Sequence, residues 1–525
     1  MSTTRAVWLF VLGLTAIRLT LVGTTDLSGD EAHYWMWSER LAPAYFSKGP
    51  GIAFVMRAST MLFGANEFGV RFFAPILGGA TSMVLFYFAR RVYSEQTALW
   101  AVLVTNATPI FNIGNLVMTI DPLSVFFWTA AMFTFWLAIE RSPQFSWYWP
   151  VTGLLIGLGF LCKYTNALEL ISIVLVLALV PRLRREFGQR GIWILLACFA
   201  ICTIPPIVWN AQHQWVTLGH LQSRGDLDRT PGFHPTELLA FLFAHFGTLS
   251  PLLFLGIAWA ALANWRRMHQ QFRVLFLMWF GLPVFALYFL LSINRAANPN
   301  WDGLAFISVA VLAVSFWREK LESRGRSRVI EMAFALALFM SAFVLDTDVM
   351  RSVGLHLWRR DPFCKMLCGW SAAAQALENV RHDVEARTGE KVFVIADERD
   401  RASEFSFYFR DKRAQGAGHP AVYIPESQAI LNQFSFWPRY DEFVDAPQSA
   451  KPGEGEVYTE EQGVNVFTGR SALFIQGARK VRPPRSITAG FSSADRVAII
   501  EVRHFGELVR QFDVFLCRNY KTLPL

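Results

Sequence analysis

Two adjacent carboxylates, Asp30 and Glu31, lie in the stretch DLSGDEAHYWMWSERLAPAYFSKGPGIAF (residues 26–54), together with His33, Tyr34 and one lysine, Lys48. A carboxylate in such company can take a proton from an attacking hydroxyl or amine. The pair also has a local use, because Ser28 followed three residues later by Glu31 fits a capping box that opens a short helix. A second acid, Asp121, stands in LVMTIDPLSVFF directly before Pro122. Asp ahead of Pro is a good N-cap arrangement. Two carboxylates on one face would equally form an acceptor or orienting site. Lys48, Arg57, Arg71, Lys163 and Arg295 are cations at the edges of apolar runs. Such positions suit an anionic partner such as a lipid phosphate, or a side chain snorkelling to headgroups. RAANPNWD (295–302) offers amides, Asn300 among them, and the indole of Trp301. It is either an interfacial turn or a sugar-binding element that uses amide hydrogen bonds and ring stacking.

The elements that must position these residues are membrane helices. The chain has 525 residues, 53% of them hydrophobic and only 17% charged, with a mean hydropathy of +0.31. Apolar runs of about 20 residues recur, the length that crosses a bilayer as helix. Spans are expected at 6–24, 68–89, 97–115, 121–139, 147–162, 165–181, 191–210, 237–263, 273–293, 301–317 and 328–346, about eleven in all. Residues 51–64 are apolar as well, but at roughly 21 Å they are too short to cross. If they lie along the surface as an interfacial helix, the loops rich in Arg all fall on one side. That parity places the N-terminus in the cytoplasm, and residues 25–67 and everything after 346 outside. The net charge of +8 sits mostly in these short loops, so it orients the chain in the membrane and does not indicate nucleic acid. The glycines of GLLIGLGF (153–160) lie in a wholly apolar run with no strand before it. They suit close helix packing, not a dinucleotide loop.

Residues 347–525 are more polar. Strand-like runs (KVFVIAD, AVYIP, SALFIQ, RVAIIEV, FDVFLC) alternate with helical patterns such as SAAAQALENVRHDVEAR, which predicts an α/β or α+β domain. DAPQSAKPGEGEV reads as a loop. The six cysteines show no CxxC pair and no metal spacing, and one disulfide among Cys364, Cys368 and Cys517 is open. No protein metal ligand is assigned and no cofactor is evident, although a divalent metal stays open. Glu169, the one clear acid well inside a span, suits a packing or hydrogen-bonded role.

The order and spacing of these motifs resemble the dolichyl-phosphate-mannose protein mannosyltransferase family, in particular the family 39 GT-C fold glycosyltransferases that include the lipid A aminoarabinose transferases. The acid pair, YWMW and SKGPG carry the resemblance in the first loop. EFGVRFFAPILGG, TIDPLSVFFW, LGFLCKYTNAL, WNAQHQWVTLGH, HFGTLSPLLFL and NPNWDG carry it later. The resemblance implies a polytopic GT-C-like catalytic part (1–346) and a periplasmic C-terminal domain (347–525). It implies a hexosyl- or pentosyltransferase that takes a sugar from a polyprenyl phosphate at the periplasmic face of the inner membrane, for a lipid A or core-type acceptor. Asp30 would take the catalytic acid position with Glu31 beside it, and Asp121 the second acid. Lys48 and Lys163, with Arg71, would face the donor phosphate; His33, Tyr34, Asn300 and Trp301 are assigned to substrate. Lys48-Gly49-Pro50 departs from the family's usual His-Pro-Pro run, and Asp302-Gly303 from a proline-containing one. A protein acceptor is the alternative within the class, and a lipid or glycan transporter the alternative outside it.

Overall fold

The computed structural model describes residues 2–224, 232–322, 328–345, 362–425, 427, 429–442, 464–478, 480 and 482–521. The expected loop DAPQSAKPGEGEV lies outside them. The chain forms two compact units, Met1–Thr24 with Leu41–Met350, and Thr25–Arg40 with Arg351–Leu525. The short helix Gly29–Ser38, expected with the membrane part, therefore groups with the tail.

The first unit is helical. Among the described residues, five of its helices are long and apolar enough to cross a membrane, or up to seven if each of two bent pairs counts as one span. They include Thr3–Leu21, Ile120–Glu140, Arg190–Gln212 and Phe272–Leu291. Two expected spans are broken at a proline. The predicted run 97–115 divides into Glu95–Ala107 and Pro109–Gly114, and 237–263 into Pro235–Leu249 and Pro251–Asn264, which meet at a bend of 114°. Both breaks fall at an X-Pro step. Proline lacks the N–H that would continue the ladder but suits the first turn of the next helix. The short apolar run after the first loop forms the helix Gly51–Phe63.

Phe86, Phe135, Trp149, Phe276 and Phe280 belong to one buried core cluster. The glycine-rich run contributes as its composition suggests. A Cβ at Gly153 would strike the backbone of Leu195, and one at Gly157 the side chain of Cys202, both on the helix Arg190–Gln212. Without side chains there, the two helices pack at backbone distance. Glu169 is fully buried, and neither of its carboxylate oxygens meets a hydrogen-bond partner among the described residues.

The second unit is built on a four-stranded mixed sheet, β1 (Phe393–Ala396), β2 (Ala472–Gly477), β3 (Phe491–His504) and β4 (Glu507–Tyr520), in the order β1-β2-β4-β3. β1 and β2 are parallel; the other two pairings are antiparallel. The two-residue turn Phe505-Gly506 has positive φ at both positions (49° and 80°), the geometry that matches the strand twist of a tight hairpin. AVYIP, expected as a strand, contributes a single bridge from Tyr423 to Ile395. The helix Trp370–Thr388 covers the predicted helical pattern. Phe393, Tyr440, Phe474 and Cys517 lie in the core of the sheet.

Candidate active site

In the first unit, Lys163 stands where the helix Tyr148–Cys162 ends. Its backbone is extended (φ −145°, ψ 119°), and a single 3-10 turn, Tyr164–Ala167, follows. Asn166 ties this break to the neighbouring helix, accepting from the Ser124 hydroxyl at 2.5 Å and donating to its carbonyl at 3.1 Å. Residues 163 and 121 each precede that pair by three positions, so the clasp sets Lys163 opposite Asp121. The Lys163 ammonium donates to Asp121 Oδ1 at 2.9 Å, and its side chain is only 8% exposed. Asp121 Oδ2 accepts from Asn300 Nδ2 at 2.9 Å, and the carbonyl of Trp301 lies 3.4 Å from the ammonium. Asp121, Lys163, Asn300 and Trp301, far apart in the sequence, thus meet in one place. The N-cap of the helix Ile120–Glu140 is Thr119, not Asp121 as expected. Thr119 accepts from the Asp121 N–H, so the aspartate side chain is available for the lysine.

The glycine of SKGPG explains the Lys48 turn. A Cβ at Gly49 would collide with the carbonyl of Leu161, and one at Gly51 with Cys162 Sγ. Only glycine lets this turn lie against the residues just before Lys163, so Lys48 and Lys163 are carried on abutting segments. Arg71 is placed differently. It is buried and donates to the carbonyl of Val22 at 3.0 Å, at the end of the first helix. That placement favours pinning the helix end over meeting a phosphate.

Further residues not assigned from sequence complete this side. The Arg224 guanidinium lies 5.6 Å from the Trp301 ring centroid, and Arg224, Arg295, Asn298 and Trp301 line a cleft. Tyr288 packs on Trp301 at 5.8 Å. His245 and Asp302 form a fully buried pair, Nε2 to Oδ2 at 3.0 Å. His245 Nδ1 faces the carbonyl of Phe241 at 2.8 Å, which only accepts, so Nδ1 must donate. The Nε2–Asp302 contact then needs a second proton, on the ring or on the carboxyl. The pair anchors the residue next to Trp301 and so steadies the turn that presents Asn300. The departure at Asp302 was visible in NPNWDG; its partner 57 residues away was not.

The other expected residues lie in the second unit. The capping box is present, with Ser28 Oγ accepting from the Glu31 N–H and Glu31 accepting from the Ser28 N–H at 2.9 Å. Glu31 is fully buried, which favours the cap over a reacting role. Asp30, one residue earlier, points the other way. Its side chain is 55% exposed and pairs with Arg399 at 3.1 Å, and Arg399 also holds Asp400 at 2.8 Å. Tyr34 is buried edge-on against Trp37. His33 is 1% exposed; its Nε2 accepts from Trp37, its Nδ1 faces Ser403 Oγ at 3.0 Å, and its ring stacks on Phe434. These positions favour packing over substrate contact for both rings.

Burial, and then the charge of Arg399, hold His33 well below the ordinary histidine value of 6.5. The unfolded chain binds a proton there that the folded one refuses, so stability is lost as pH falls below about 6.5. The thermal midpoint of the protein should drop between about pH 6.5 and pH 5, with a shallower drop in His33→Gln. Equal slopes in differential scanning fluorimetry would show that His33 is not buried in its neutral form.

Residues 47–209 match the family model described as dolichyl-phosphate-mannose-protein mannosyltransferase. The chain is 27% identical over 423 residues to the lipid A galacturonosyltransferase RgtD of Rhizobium johnstonii, covering 80% of this chain and 86% of that one. It is 26% identical over 380 residues to the undecaprenyl phosphate-alpha-4-amino-4-deoxy-L-arabinose arabinosyl transferase 1 of Sodalis glossinidius, covering 65% of each, a little under two thirds of that relative. The crystal structure of apo ArnT from Cupriavidus metallidurans superposes with a TM-score of 0.61 over 98% of both chains at 15% identity. The chain is a glycosyltransferase of the GT-C fold. The same ArnT bound to undecaprenyl phosphate gives a TM-score of 0.57 over 97% of both chains, also at 15% identity. In this glycosyltransferase the matched segment 47–209 contains Lys48, Asp121 and Lys163, so the family model and the buried ion pair fall on the same stretch of chain.

Proposed function

We propose that this glycosyltransferase moves a sugar from a polyprenyl-phosphate donor to a lipid A or core-type acceptor at the periplasmic face of the bacterial inner membrane. The observation that carries the proposal is the buried ammonium of Lys163, held by Asp121 beside the Asn300–Trp301 turn. A buried cation needs an anion, and a donor phosphate would supply a second one. In the transfer, the bond between the anomeric carbon and the phosphate oxygen breaks and the acceptor oxygen or nitrogen bonds to that carbon. The acceptor's proton passes to a carboxylate, the role given to Asp30. Charge builds on the leaving phosphate, and a fixed cation there lowers the barrier. The amides and indole of the turn suit the sugar.

The names of the relatives support donor and acceptor alike, since one acts on lipid A and another uses an undecaprenyl phosphate sugar. We read eleven spans, a cytoplasmic N-terminus and a periplasmic tail from the charge parity of the loops. Mass spectrometry of lipid A from a deletion strain, with and without the wild-type gene restored, tests the proposal. The restored strain should carry a species heavier by one sugar residue, and that mass difference names the sugar. Identical lipid A in the two strains, with a change confined to glycoproteins, would move the acceptor to protein.

A further inference from the structure

The sequence shows no metal spacing among its cysteines, yet the fold of the second unit brings three soft ligands together. The thiols of Cys364 and Cys368 and a ring nitrogen of His504 all lie within 4.8 Å of one another. Cys364 is on the short helix Pro362–Leu367 and Cys368 immediately follows it, with the Cys368 N–H donating to the Cys364 carbonyl at 3.2 Å. Residues four apart on a helical turn share a face, so both thiols point the same way. His504 comes from the far end of β3, just before the Phe505-Gly506 turn.

The two segments are held in register independently of any ion. Gly369 has φ +79°, and a Cβ there would press on Val502, so the cysteine turn lies directly on β3. Arg510, on β4, donates from Nε to the Cys368 carbonyl at 2.6 Å and lies 3.6 Å over the Trp370 ring.

We propose that Cys364, Cys368 and His504 bind one zinc(II) ion, fastening the helix Pro362–Leu367 to the β3–β4 hairpin. Two thiolates and an imidazole are a zinc donor set, and they leave one tetrahedral position for water. Binding converts two thiols to thiolates and releases their two protons, so affinity falls as pH falls. Cys517, the third candidate for a disulfide, is in the core of the sheet.

The test uses full-length protein purified in detergent under reducing conditions, its affinity tag removed. Elemental analysis should find about one zinc per chain and about none in Cys368→Ser or His504→Ala, with Cys517→Ser as the control that keeps the metal. Should a variant fail to fold, cobalt(II) added to metal-free wild type should give a thiolate-to-cobalt charge-transfer band. Zinc should also protect Cys364 and Cys368 from alkylation, read by peptide mass spectrometry. Zinc retained in both variants overturns the proposal. So does reduced wild type that takes up no metal, or a Cys364–Cys368 disulfide in protein purified without reductant that persists after zinc is supplied.

Discussion

Lys163→Met should lower kcat/KM for a polyprenyl-phosphate sugar by about 10²–10³, the usual loss when one fixed charge or donor is removed from a leaving oxyanion. Its ammonium is buried at the end of a helix and already makes a charge-assisted bond to Asp121 at 2.9 Å. Little reorganisation is then needed when a phosphate arrives, and a preorganised cation in a poorly hydrated site is worth more than one in water. Lys163→Arg should not restore activity, because the guanidinium is larger and flat where the site holds a compact charge.

Asp121→Asn tests the other half of the pair. It leaves the amide contact to Asn300 available but strands a buried cation, which costs about 3–5 kcal/mol when one partner of a buried pair is removed. The double variant Asp121→Asn with Lys163→Met should therefore recover stability without recovering transfer. A Lys163→Met enzyme whose KM and kcat both stay within about twofold of wild type would show that Lys163 does not meet the donor.

What the sequence disclosed about this site follows from how local each determinant is. The capping box at Ser28–Glu31 is a contact over three residues, and it was legible. So were the packing glycines 153 and 157 and the positions of five spans, because period and length are local properties. The breaks at Pro109 and Pro251 were written in the chain but outweighed by the continuous apolar run around them. The partners of Asp121 were less accessible. Lys163 is 42 residues away and Asn300 is 179 away, and their meeting depends on the Ser124–Asn166 clasp and the buried His245–Asp302 pair. The same holds for the thiols and His504, whose spacing matches no linear pattern because a strand hairpin supplies the third ligand. Arg71 and His33 show the opposite limit. Their residue types suggested chemistry, but both are buried, Arg71 against the Val22 carbonyl and His33 between Trp37 and Ser403.

Asp30→Asn should reduce kcat by about 10²–10⁴, the range lost when a positioned general base is removed, while undecaprenyl phosphate still binds as in wild type. Glu31→Gln should behave in the opposite way although it is the next residue. Its carboxylate closes the capping box, so its replacement weakens the helix Gly29–Ser38 by roughly 0.5–2 kcal/mol and leaves kcat nearly unchanged in the folded fraction. The contrast rests on exposure. Asp30 presents a half-open carboxylate steadied by Arg399, whereas Glu31 is fully buried and closes the capping box. An exposed ion pair such as Asp30–Arg399 adds little stability, so Asp30→Asn should melt within a degree or two of wild type. A lowered turnover at an unchanged melting point then identifies chemistry at Asp30, and an Asp30→Asn enzyme with full turnover would move the proton acceptor to another residue.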